Sequence, residues 1–136
     1  MKRTLVAAAG LMVSGVAFAD NLQGIDRLLC AVGQVVACVE EADCYPIPPS
    51  EVDVPEFVII DVKGKLLSTT KASERNRQTA VQTVRRADGF IYLQGIDLGR
   101  AFSFVIDEAT GHVTVAVSRD GVSVTVFGVC TNAAVE

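Results

Sequence analysis

The chain has 136 residues, half of them hydrophobic, with 12 basic and 16 acidic side chains and a formal net charge of −4. That length suits one domain around one core. The acidic balance argues against nucleic acid as a partner, because that binding rests on neutralising phosphates with Lys and Arg. It also provides no attraction to an anionic membrane surface.

Met1-Lys2-Arg3 is a basic start, Thr4 to Val16 is an uncharged apolar run, and Ala17-Phe18-Ala19 has the small-x-small spacing that signal peptidase cuts. The pattern predicts a signal peptide over residues 1–19, removed after Ala19, and a single disulfide-stapled β domain over residues 20–136. The run is too short for a transmembrane helix, so no membrane span is expected in the mature chain. No cysteine stands at the cut, which argues against a lipoprotein anchor. Loss of Lys2 and Arg3 leaves ten basic against 16 acidic side chains, a net charge of −6. The expected location is the periplasm or the extracellular medium.

Four cysteines follow, Cys30, Cys38, Cys44 and Cys130. In an oxidising compartment an even number predicts disulfides. Three pairings are open. The favoured one joins Cys38 to Cys44 across a short loop and Cys30 to Cys130 across most of the domain.

Leu22, Ile25, Leu28 and Leu29 have helical spacing, which predicts a short helix between Asn21 and Gly33. Val35 to Glu40 reads as a strand. Glu40, Glu41 and Asp43 form an acidic turn between Cys38 and Cys44. They are a candidate interaction loop, although a solvated turn is the favoured explanation, since the spaced carboxylates of a calcium loop are missing. Tyr45 to Pro55 holds all four prolines and predicts an extended loop rather than a central strand.

Phe57 to Asp61 and Leu66 to Thr70 flank Lys63-Gly64-Lys65 as a hairpin. Lys71 to Gln78 is polar and reads as a loop. Strands are then expected at Thr79–Arg86, Phe90–Ile96, Ala101–Asp107, His112–Ser118 and Val122–Val129, separated by turns that each carry glycine. Phe102, Phe104 and Ile106 share one face, as do Val113, Val115, Val117 and Val122, Val124, Val126, while Ser103, His112, Thr114, Ser118, Ser123 and Thr125 face the other way. Period two with polar alternates predicts sheet with one wet face. The fold class is therefore all-β with a minor N-terminal α element. The expected architecture is an antiparallel up-and-down meander of about eight strands, closed as a barrel or strongly bent. An outer-membrane barrel is disfavoured, because the strands are short and aromatic girdles are missing.

His112 is the only histidine. It could act as a base with Asp107 or Glu108, but its place beside Gly111 at a hairpin corner is that of a solvated turn residue. Arg75, Arg77, Arg85, Arg86 and Arg100 are the local cations. Arg85 and Arg86 are adjacent on a strand and must face opposite ways, so at most one of them could reach a barrel mouth and an anionic ligand there; surface pairing with Asp88 or Asp97 is the favoured explanation. Gly95 and Gly99 serve hairpin geometry, since no helix follows to make a phosphate loop. No catalytic, cofactor-binding or metal-binding constellation outweighs its structural explanation.

Leu29-Cys30-Ala31, Leu93-Gln94-Gly95, Gly99-Arg100-Ala101-Phe102-Ser103, Asp107-Glu108-Ala109-Thr110-Gly111 and Val126 to Thr131 resemble a family of short secreted proteobacterial proteins of unknown function. In size, compartment and strand pattern the chain is also similar to the small periplasmic C-type lysozyme inhibitors. That second resemblance implies a disulfide-bonded barrel that inhibits a hydrolase. The inhibitors' Ser-Gly-x-x-Tyr loop is missing, because Tyr45 and Tyr92 stand in other contexts.

These observations predict a secreted, non-enzymatic binding or interaction protein without a cofactor. Its partner would be a small apolar ligand held in the barrel or a basic protein. The alternatives are an inhibitor of lysozyme-inhibitor type and a small hydrolase using His112. A cavity lined by small side chains would favour the apolar ligand. A core filled by Phe57, Phe90, Phe102 and Phe104 would argue against it.

Overall fold

The computed structural model describes residues 21–133, so the expected leader and its cut after Ala19 lie outside the described residues. The described residues form ten strands: β1 (Arg27–Val39), β2 (Cys44–Pro46), β3 (Phe57–Asp61), β4 (Leu66–Thr69), β5 (Gln78–Ala80), β6 (Thr83–Ala87), β7 (Phe90–Asp97), β8 (Arg100–Asp107), β9 (His112–Arg119) and β10 (Val122–Asn132). One 3-10 turn, Pro49–Val52, interrupts them. Valine, isoleucine and phenylalanine at every second position suit a pleated surface buried on one side. The strands from β7 to β10 follow the expected ranges to within two or three residues.

All pairings are antiparallel, in the order β5-β4-β3-β1-β10-β9-β8-β7-β6, with β2 paired to the far half of β1. The two ends of this order are β5 and β6, which only Val81 and Gln82 separate in the chain. The Val81 amide donates to the Lys65 carbonyl before β4, and the Gln82 amide donates to the Gln94 carbonyl of β7, each at 3.0 Å. One segment thus satisfies backbone groups on both sides, and the sheet curls into a barrel-like shape whose edges meet in it. Counted as one bent strand, β5 and β6 account for the single strand expected at Thr79–Arg86.

The N-terminal segment departs from expectation. Asn21 to Gly33 is a turn followed by the first half of β1, not a short helix. Leu22 and Leu28 are fully buried, so the apolar spacing reports burial and not a helical stripe. The partners decide the outcome: Cys30 and Leu28 lie in ladders with both β3 and β10, and those ladders outweigh local propensity.

Cys30 is bonded to Cys130, its register partner across β1 and β10, and Cys38 to Cys44, its partner across β1 and β2. This is the pairing favoured from the sequence, and it suits a location outside the reducing cytoplasm. Beside Cys130 the chain must pass as glycine. Gly111 has φ +76°, and a Cβ on it would stand 2.3 Å from the Cys130 carbonyl oxygen. No helix among the described residues is long and apolar enough to cross a membrane.

Candidate functional site

The inward-facing residues divide the curled sheet into a packed half and a hollow half. At the floor end, Leu22, Leu28, Ile60, Ile91 and Ile106 are fully buried and fill the interior. The segment before β1 seals that end. The Leu22 amide donates to the Glu108 carbonyl at 2.7 Å, and the Val62 amide to the Asp26 carbonyl at 2.8 Å. Arg86 reaches in between, donating to the Ile25 carbonyl and lying 3.4 Å from the buried Glu108 carboxylate.

Toward the other end the side chains become small. A cavity of about 440 Å³ is walled by Val113, Val115, Val117, Val122, Val124 and Val126, with Phe102 and Phe104 against one side and Cys30 at its depth. Phe102 and Phe104 are buried, meet edge to face with 5.9 Å between ring centres, and line the cavity on that side. Of the other phenylalanines named above, Phe57 is 46% exposed and Phe90 is half-buried, and neither lines the cavity. The volume lies within the range of about 300–1,000 Å³ typical of small-molecule pockets.

A strap crosses the mouth. Residues 50–55 line the cavity, and Val52 and Val54 pack against the core. Asp53, in the left-handed region at φ +56°, caps the 3-10 turn. Its carboxylate pairs with Arg75 and, at 3.1 Å, with Arg77. Arg77 also reaches Asp97 at 3.3 Å, and the Thr79 hydroxyl donates to the same Asp97 oxygen at 3.1 Å. The strap is therefore tied to the β4–β5 loop by Asp53 ion pairs that are largely exposed, and through Arg77 to the end of β7 by a half-buried pair. Exposed pairs of the Arg75–Asp53 kind contribute only about 0–1 kcal/mol each, so the packing of Val52 and Val54 on the core is a main tie of the strap.

The other expected site residues lie elsewhere. His112 is exposed at the floor end, on the outer face of β9, while its neighbour Val113 faces inward. It does not reach the cavity. Glu40, Glu41 and Asp43 are exposed in the β1–β2 turn at the mouth end, where the Glu40 amide donates to the Gly121 carbonyl at 2.8 Å. Arg85 faces out and Arg86 faces in, as adjacency on a strand requires, but Arg86 serves the sealed floor and not the mouth. Among the described residues, no group of three or more His, Cys, Asp or Glu side chains stands together as a metal site.

The Asp53–Arg77–Asp97 chain was not legible in the sequence. Its members come from three separate turns, and only the position of Asp97 in phase with Ile91 and Leu93 hinted that it faces inward. No family model matches the chain, and neither a curated protein nor a solved structure does.

Proposed function

We propose that this protein is exported, loses its leader after Ala19, and binds a small apolar molecule in the hollow half of its curled sheet. The observation that carries this reading is the valine-walled cavity of about 440 Å³, open toward one end and sealed at the other. An apolar hollow left unfilled forfeits dispersion contacts that a ligand restores. The two phenylalanines that could have filled it lie along its wall instead. The strap at Val52 and Val54 is the entry, because it lies across the mouth outside the sheet ladders and its ion pairs at Asp53 are largely exposed.

A carrier needs no chemistry at the site, and the lining suits that role. It combines an apolar wall with a polar rim that orients what enters. The paired disulfides keep such a thin-walled barrel folded outside the cell.

Native mass spectrometry tests this reading. The protein, purified gently and then incubated with a lipid extract of its own envelope, should carry an added mass of a few hundred daltons that denaturation removes. The bare mass of the oxidised chain after that incubation would overturn it.

A further inference from the structure

The rim of the cavity holds four arginines against three carboxylates, Glu51 among them, and two of the arginines, Arg100 and Arg119, stand outside its ion pairs. In the β8–β9 register Ala101 faces Ser118 and Phe102 faces Val117, so the next position outward sets Arg100 opposite Arg119. Both have the inward phase of their strands, Arg100 with Phe102 and Phe104, Arg119 with Val117 and Val115. Both line the cavity mouth.

Like charges directly opposite on neighbouring strands repel. The nearest natural partner, Asp97, is the register neighbour of Arg100 on β7. Its carboxylate is taken by Arg77 and Thr79 instead. Among the described residues, neither Arg100 nor Arg119 has a carboxylate within salt-bridge distance, whereas Arg75 has one and Arg77 and Arg86 have two each. Arg27 and Arg85 are likewise without a carboxylate but do not line the cavity, whereas Arg100 and Arg119 stand side by side above an apolar pit.

We infer that the ligand is an amphiphile: a single apolar chain lying along the valine wall, and an oxyanion head, carboxylate or phosphate, held between Arg100 and Arg119. This rests on the cavity reading and goes further by naming the ligand class. Two guanidinium groups supply flat, paired donors that match such oxygens. The bound anion removes the repulsion between the two arginines, and the apolar tail fills the hollow below.

The test is displacement of a neutral fluorescent probe, N-phenyl-1-naphthylamine, by dodecanol, dodecanoate and dodecyl phosphate, each below its micelle concentration. Dodecanoate and dodecyl phosphate should bind about tenfold to a hundredfold more tightly than dodecanol at low salt. That advantage should shrink as salt is raised, while the alcohol's affinity should not fall. In Arg100→Gln/Arg119→Gln the ratio of anion to alcohol affinity should fall toward one, and in the outward-facing Arg85→Gln it should stay as in the wild type. Uptake of probe and alcohol with no preference for the anions would overturn the inference and leave the cavity reading standing. So would a preference that survives the double substitution. Failure of probe and all three chains to bind would overturn both.

Discussion

The ring of Phe102 lies against Gly95, its register partner across β7 and β8. A Cβ at Gly95 would stand 2.4 Å from the Phe102 Cζ and 2.1 Å from the Gln82 Oε1. Glycine thus provides the shelf on which the ring rests beside the lumen. Gly95→Ala should push the ring off that shelf and break the bond from the Ile96 amide to Gln82. The expected cost is about 1–3 kcal/mol, as for other overpacked positions. Urea unfolding checks the stability, and the variant's ligand affinity should fall with it as the ring enters the cavity.

The floor is sealed by charge as well as by leucine. Glu108 is 7% exposed and has Arg86 as its ion partner. Arg86→Met keeps the apolar stem but leaves a buried carboxylate unpaired, which should cost about 3 kcal/mol. The double variant Arg86→Met/Glu108→Gln should recover part of that loss, and a double-mutant cycle in denaturant measures it.

The two disulfides should differ in weight. Cys30–Cys130 closes a separation of 100 residues and Cys38–Cys44 one of 6. On the chain-entropy argument, replacing the first pair by serine should cost about 2 kcal/mol more than replacing the second. Thermal unfolding of the two double variants compares them directly.

Leu98 occupies the β7–β8 turn at φ +50° and is 79% exposed. The left-handed conformation disfavours leucine, and so little contact is lost on replacing it that Leu98→Asn should stabilise the fold by about 0.5–1 kcal/mol. Equilibrium unfolding in guanidinium would show the midpoint moving up, and an unchanged or lower midpoint would mean that the leucine packs usefully at the tip.

The meander from Phe90 onward was legible because each strand alternates cleanly and each turn carries glycine; the burial of Phe102, Phe104, Val113, Val115, Val124 and Val126 follows that phase. Of the first strand, Val35 onward was legible and the half before it was not, for a specific reason. A bulge between Val32 and Gln34 reverses its phase, so Leu28 and Cys30 face inward before it and Val35 and Ala37 after it. A sequence that changes phase midway mimics neither period. The same reversal occurs between Val81 and Val84, where the chain leaves β4 for β7. The cavity was legible only as a condition, small residues against large, because where Phe102 places its ring depends on Gly95 across the ladder. The mouth was least legible, since Asp53, Arg77 and Asp97 are distant in sequence and meet only after the strap is laid down.

The most direct measurement is titration of the wild-type protein and of Val124→Phe with N-phenyl-1-naphthylamine, followed by its fluorescence. Val124 faces the lumen, so the added ring should occupy the space the probe needs. Saturable uptake by the wild type, weakened at least about tenfold in a folded Val124→Phe, is the expected result, since a filled pocket loses most of its contact area for a ligand. No saturable uptake by the wild type, or equal uptake by both proteins, would contradict a binding site inside the sheet.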